Sequence, residues 1–301
     1  MRSGLARSYL YAPGNQPDLL SKVFSAGADA VVLDLEDAVP VDQKQQARDL
    51  VRRALENQSN SSGPAAWVRI NSLRGPEWQR DLEVIVGPGV EGVRVPKVDS
   101  PSELDLLAEA LSELEAGARL EAGSIRVTCT IESAKGLLAA SELAQHHRVD
   151  RMAFGSTDFM ADIGADPTAE SMATLWARSS LVVICRAAGL IPPIAPAWTR
   201  LEDSDGLRRS SLECRQLGLF GRTCIHPKQI SSVHEAFTPT AEEVAQARSA
   251  VEAWEDTARA RDGVAVTEDG RFVDPAVLKH ARAVLELATS LHLDSERETV
   301  Q

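Results

Sequence analysis

A chain of 301 residues with 44% hydrophobic and 25% charged content is long enough for one large α/β domain with an appendage, and its composition excludes a disordered main body. Its net charge of −12, from 44 acidic against 32 basic side chains, argues against nucleic-acid binding through a broad basic surface, so an anionic ligand would need a local basic pocket. The start resembles no signal peptide and no run of about 18 apolar residues occurs, which predicts a cytoplasmic protein with no membrane partner.

In chain order, short β-branched runs alternate with longer helical patterns. The strand candidates are SYLYAP (8 to 13), AVVLDLED (30 to 37), AWVRIN (66 to 71), GVRVPKV (92 to 98), RVTCTIES (126 to 133), RMAFGSTD (151 to 158), LIPPIAPA (190 to 197) and GRTCIH (221 to 226). Most are continuously apolar, as expected of parallel strands covered on both faces, and the segments between them suit right-handed crossovers. Helical patterns such as PDLLSKVFSAGA and SPSELDLLAEALSELEAG open with Ser, Asp or Pro cap chemistry and close at Gly or Asn. NQSNSSGP (57 to 64) reads as a polar loop at the barrel bottom, away from the chemistry.

Eight such units predict a (β/α)8 TIM barrel over residues 1–236. Beyond it, TAEEVAQARSAVEAWEDTARARDG reads as a charged helix, GVAVTEDGRFVD as a hairpin turning at Asp269-Gly270, and PAVLKHARAVLELATSLH as a final helix. This helix–hairpin–helix extension, residues 237–301, packs either on its own barrel or on a neighbouring subunit. Cys129, Cys185, Cys214 and Cys224 lack CxxC spacing and are expected to be reduced packing residues.

Active-site groups of a parallel barrel sit where strands end, so the polar residues there carry the functional reading. They are Asp34, Glu36 and Asp37 after the second run, Arg69 and Asn71 after the third, Lys97, Glu132, Asp158 and His226. Glu132 and Asp158 close consecutive runs; paired carboxylates above a sheet suggest a divalent cation, and Mg2+ is the one that keeps waters and takes further oxygen ligands from substrate. The alternative for each acid is a helix N-cap, before SAKGLLAASELA and FMADIG. Alternation turns Arg69 inward, where a permanent guanidinium would bind a carboxylate or an enolate oxygen. Asp37 is either solvated or orients the waters of a metal. His226 reads as a loop-fixing hydrogen bonder.

The motifs RSYLYAPGNQPDLLSKVFSAGADAVVLDLEDAVP, DQKQQAR, WVRIN, VPKV, TIESAKGL, FGSTDFMADIG and GLFGRTCIHPKQI, in this order, resemble the citrate lyase β-subunit family of the wider HpcH/HpaI aldolase superfamily, which includes malyl-CoA and citramalyl-CoA lyases. The resemblance implies a Mg2+-dependent carbon–carbon lyase on a TIM barrel, acting on an acyl-CoA thioester or oxo-acid as a homo-oligomer, trimer or hexamer. It implies Glu132 and Asp158 as metal ligands, Arg69 as holder of the oxo-acid or enolate, Asp37 beside the metal waters, and Arg7 and Lys44 as contacts of the thioester carrier. FVDPAVLKHARAVLELA resembles the closing segment of the family, which implies Asp274 as a general acid/base reaching a neighbouring subunit; a helix N-cap is the other role that its DP pair suits. Two positions depart from the pattern: Ala195 in PPIAPAW replaces a rim aspartate, and Thr157 in GSTDF replaces a glutamate beside Asp158.

The expected reaction is cleavage or formation of a 3-hydroxyacyl-CoA, such as malyl- or citramalyl-CoA, giving an acyl-CoA and glyoxylate or pyruvate. The rivals are a citryl-acyl-carrier-protein lyase subunit, an acyl-CoA thioesterase, a CoA-independent class II pyruvate aldolase, against which the absence of His from LDLEDAV counts, and a non-catalytic metal-binding barrel.

Overall fold

The computed structural model describes residues 6–58, 63–166, 170–260 and 265–291; residues 59–62 of the expected polar loop, 261–264 at the end of the charged helix and the residues after 291 lie outside these. The described chain divides into two compact units, one spanning Ala6–Phe237 and a smaller one from Thr238 onward.

The larger unit runs β1 (Ser8–Pro13), α1 (Pro17–Val23), β2 (Ala30–Asp34), α2 (Lys44–Gln58), β3 (Ala65–Arg69), α3 (Glu77–Ile85), β4 (Gly92–Val95), α4 (Pro101–Gly117), β5 (Arg126–Ile131), α5 (Ala134–Leu143), β6 (Val149–Phe154), α6 (Ser156–Asp162), α7 (Glu170–Ala187), α8 (Ser204–Leu217), β7 (Arg222–Cys224) and α9 (Ile230–Phe237). The seven strands are parallel, in the order β6-β5-β4-β3-β2-β1-β7. The edges β6 and β7 are joined through residues 194 and 195 by the parallel bridges Ala153↔Ile194 and Ala195↔Arg222. The arrangement is consistent with a TIM-like barrel.

One expected strand differs. The run 190 to 197 forms only these bridges and not a regular strand. Pro192, Pro193 and Pro196 have no N–H to give a ladder, so the run is tied to its neighbours through Ile194 and Ala195, which donate to Met152 O and Gly221 O, each at 2.9 Å.

Alternation along each strand sorts side chains into two layers. Val31 and Leu33 of β2, Val68 of β3, Val93 and Val95 of β4 and Cys129 of β5 join helix residues such as Val51, Leu82 and Leu107 in the main core, between sheet and helices. Each fully buried Leu or Val contributes about 1.5–3 kcal/mol through lost apolar exposure. Tyr9, Ala30, Val32, Trp67, Ala153 and Ile194 pack with one another on the opposite face, the inside of the curled sheet. Ala195 is fully buried in the main core, so it points away from the inner face and not to the rim expected from sequence.

Caps fix where helices begin. α4 opens with a capping box of Ser100 and Glu103, and α5 with Ser133, whose Oγ accepts the Gly136 N–H at 2.9 Å. The smaller unit contains α10 (Ala241–Ala260), the antiparallel pair β8 (Ala265–Val266) and β9 (Phe272–Val273), and α11 (Pro275–Ser290), around Ala247, Ala250, Val273, Leu278 and Ala281. All four cysteines are free and buried. No helix of the described residues is long and apolar enough to cross a membrane.

Candidate active site

Asp34 ends β2 and Arg69 ends β3, and register makes them cross-strand partners. Their side chains meet in a two-point pair, Arg69 Nε to Asp34 Oδ1 at 2.7 Å and Arg69 Nη2 to Oδ2 at 2.6 Å. Asp34 also accepts the Glu36 N–H at 2.9 Å, folding the chain after β2 so that Glu36 Oε2 reaches Arg69 Nη1 at 2.9 Å. Lys97 closes the series, its Nζ 2.8 Å from Glu36 Oε1 and 3.3 Å from Asp37 Oδ2. Burial would lower the pKa of Arg69, but Asp34, Tyr11 and Glu36 outweigh it and hold the cation firmly charged. Burial also raises Glu36, despite Arg69 and Lys97.

Glu132 follows β5 directly. Because Ser133 caps α5, the Glu132 carboxylate is not consumed by the helix. It is turned instead by the backbone N–H of Lys97, which donates to Glu132 Oε1 at 2.7 Å. Lys97 adopts φ 54°, a left-handed conformation costing roughly 1–2 kcal/mol for a non-glycine residue. Burial, then Glu36 and Asp158, push the Glu132 pKa up to about 7. Gly155 makes room for it: a Cβ there would stand 2.5 Å from Glu132 Oε2.

Asp158 lies in the first turn of α6, exposed, whereas the sequence reading placed it at a strand end; β6 stops at Phe154. The N-cap of α6 is Gly155, so Asp158 is no cap. Its negative charge contributes to the raised pKa of Glu132.

Among the described residues, no cage of three or more His, Cys, Asp or Glu side chains is preassembled for a metal. The carboxylates of Glu132 and Asp158 offer oxygen donors only, the donor type that suits Mg2+ when water and substrate oxygens fill its other positions.

Beneath this rim, the Tyr11 ring lies between two guanidinium groups, 5.2 Å from Arg69 Cζ and 5.4 Å from Arg94 Cζ. Burial raises its phenol pKa even beside both cations, so it stays a neutral hydroxyl. Sequence reading did not single out Arg94. Its signal was a charged residue inside the apolar run GVRV, with alternation giving it the inward face of Arg69, its cross-strand partner.

Other expected site residues are elsewhere or engaged. Arg7 precedes β1, at the opposite end of the strands, and pairs with Asp29 through Nε at 2.8 Å and Nη2 at 2.9 Å. The resemblance implied Arg7 as a contact of the thioester carrier; in the structure its side chain is engaged by Asp29. Lys44 is buried, and its ammonium donates to Leu35 O at 2.6 Å and Glu36 O at 2.7 Å. It braces the turn carrying Glu36. Asp274 caps α11, accepting the Val277 N–H at 2.8 Å. His226 caps the turn Pro227–Gln229 through the Lys228 N–H. Thr157 is exposed next to Asp158.

The family described as HpcH/HpaI aldolase/citrate lyase matches residues 7–227. Citrate lyase subunit beta of Leuconostoc mesenteroides subsp. cremoris is 31% identical over 299 residues, covering 99% of this chain and 98% of that protein. Human mitochondrial citramalyl-CoA lyase is 33% identical over 297 residues, covering 95% of this chain and 86% of its own length. Among solved structures, protein CitE of Mycobacterium tuberculosis in complex with magnesium, acetoacetate and coenzyme A superposes with a TM-score of 0.75 at 27% identity, covering 95% of this chain and 99% of that one. The motif series, the parallel sheet and these full-length likenesses lead to one conclusion: this chain belongs to the HpcH/HpaI aldolase/citrate lyase family.

Proposed function

We propose that this protein is a Mg2+-dependent carbon–carbon lyase that cleaves or forms a 3-hydroxyacyl-CoA, such as malyl- or citramalyl-CoA, releasing an acyl-CoA and glyoxylate or pyruvate. The observation that carries the reading is the crowded pair Glu132 and Asp158 beside an arginine already locked in place by Asp34 and Glu36. The similar human lyase and the CitE complex with magnesium and coenzyme A support it.

When bound on Glu132 and Asp158, Mg2+ supplies Lewis-acid polarisation of a substrate carboxylate and hydroxyl. The Lys97 N–H fixes Glu132 for that task, and Lys97 Nζ holds Glu36 and Asp37 to one side. Arg69, unable to swing because two carboxylates grip it, offers its positive charge to the oxo-acid or enolate without reorganising. Asp37, exposed at the rim, supports waters around the cation. Asp274, delivered from a neighbouring copy in a homo-oligomer, takes the hydroxyl proton as the bond breaks and gives it to the carbon of the thioester enolate, which becomes the acyl-CoA.

The test is turnover of a panel of 3-hydroxyacyl-CoA thioesters with Mg2+, oxo-acid and acyl-CoA products being read by mass spectrometry. Glu132→Ala and Asp158→Ala should each lower cleavage on the order of 10³-fold or more, with circular dichroism unchanged. Wild-type turnover in either variant, with metal binding undiminished, overturns the assignment. Release of free thiol without oxo-acid would make the protein a thioesterase instead.

A further inference from the structure

Away from the carboxylate rim, α7, α8 and the segment after the seventh run enclose a cavity of about 220 Å3, walled by Arg178, Arg200, Arg209, Trp198, Asp203 and Ser210 among others. No residue of the candidate active site lines it. In a chain of net charge −12, this wall is basic. Arg178 is paired with Glu213 at 2.7 Å and Arg200 with Asp203 at 3.5 Å. Asp203 is shared, because its Oδ1 also accepts the Gly206 N–H at 2.8 Å as the N-cap of α8. Arg209, exposed, and Arg222, 1% exposed, have no carboxylate partner among the described residues. Arg222 stands behind the wall: its Nη2 donates to Ser210 Oγ at 2.9 Å, while Nε and Nη1 are buried without a hydrogen-bond partner. Since Ser210 Oγ accepts there, its own O–H is left to donate, and it has no acceptor among the described residues. Four guanidinium groups thus face two carboxylates in and behind one wall, an imbalance that draws anions. Arg200 is held in place by stacking on Trp198, its Cζ 3.9 Å from the ring centroid, and Trp198 Nε1 is anchored on Asp203 O at 3.1 Å.

We propose that this cavity binds a phosphate dianion, free or as a small monoester, gripped by Arg200 and Arg209 and hydrogen-bonded by the Ser210 hydroxyl. The surplus of two guanidinium groups over carboxylates matches the charge of a dianion and exceeds that of a single carboxylate. Guanidinium forks suit the oxygens of a phosphate. Arg222, buried behind Ser210, adds an attraction that salt screens less than it screens exposed charges. The site shares no residue with Glu132, Asp158 or Arg69, so it stands or falls independently of the lyase reading.

The experiment is calorimetric titration of the full chain, without Mg2+, with inorganic phosphate, methyl phosphate and acetate in turn. Wild type should bind at least one of the two phosphates with a Kd on the order of 1 mM or tighter, and acetate about 10-fold or more weakly. Tighter binding of inorganic phosphate identifies the free ion as the ligand, tighter binding of methyl phosphate identifies a monoester, and equal affinity shows that the phosphoryl group alone is recognised. Arg209→Ala and Arg200→Ala should each weaken phosphate binding about 10-fold, the loss of a charge-assisted hydrogen bond. Arg209 is exposed and has no carboxylate partner among the described residues, so its removal should leave the melting midpoint of the ligand-free protein in place. Arg80→Ala, on the exposed face of α3, is the control and should leave phosphate affinity unchanged. The site is overturned by any of three results: neither phosphate binding up to about 10 mM, acetate binding as tightly as phosphate, or an affinity unmoved by both cavity variants. A loss in Arg80→Ala equal to that in Arg209→Ala also overturns it, since it would reduce the binding to general surface charge.

Discussion

Arginine–carboxylate pairs stand at both ends of the parallel sheet, and the two ends are wired differently. At the N-terminal end, Asp29 takes the Arg7 side chain and the Arg7 N–H at 2.8 Å, while both oxygens of Glu115 take Arg148, at 3.0 and 2.7 Å, together with the N–H groups of Gly123 and Ile125, each at 2.9 Å. Burial pushes these carboxyls up, but the donors outweigh it and hold Asp29 and Glu115 below the ordinary range. At the C-terminal end, equally buried Glu36 and Glu132 stay above it, and Arg94 has no carboxylate partner among the described residues. One end completes its own charge pairs; the other leaves cation and anion positions for ligands to complete, as an active-site end does.

The contrast breaks if removing charge has the same consequence at both ends. The largest effect is expected for Glu132→Gln: thioester cleavage falls on the order of 10³-fold, while the melting midpoint of the metal-free protein holds or rises, because a carboxylate crowded by Glu36 and Asp158 has gone. A lower midpoint with normal turnover would reverse the roles of the two ends.

Glu115→Gln should do the opposite, costing about 3 kcal/mol in urea unfolding at pH 7 and leaving the kcat of the folded protein intact. The Glu115 pKa is depressed on folding, so its contribution is present above the unfolded value of about 4.3 and is lost as pH falls through the lower folded value. The gap between wild type and Glu115→Gln should therefore close on acidification. A gap that widens would remove the ion pair as its cause.

Gly155→Ala sharpens the comparison with a smaller change. Its φ of −103° suits any residue, so backbone strain is absent and the effect comes from the new Cβ pressing on Glu132 Oε2. We expect Mg2+ affinity to fall about 10-fold by calorimetry, with a stability loss of only about 1 kcal/mol. Unchanged affinity would show that Glu132 has room to retreat and that its position is not fixed from that side.

Much of the molecule was legible in the sequence. Continuous apolar runs between capped helical patterns marked the parallel strands, and the acids after them marked the end where chemistry gathers. The seventh run was misread because hydrophobicity there is carried by prolines, which fill core volume but cannot extend a ladder. Asp158 was displaced by one helical turn, since a strand and the first turn after it have no boundary signal at Gly155. Arg94 went unnoticed inside GVRV, where two valines made the run look uniformly buried.

Alternation and strand-end position are properties of near neighbours in the chain, and they sufficed to turn Asp34, Arg69 and Glu132 toward one face and one end. Partnership is a property of register. That Arg69 is claimed by two acids while Arg94 is claimed by none among the described residues, that Arg7 serves Asp29 at the far end, and that Lys97 turns left-handed to orient Glu132, all depend on which strands lie side by side. Those strands are separated by long helices in the sequence, and hydrogen bonds across them act over about 3 Å in space, so no local pattern could encode them.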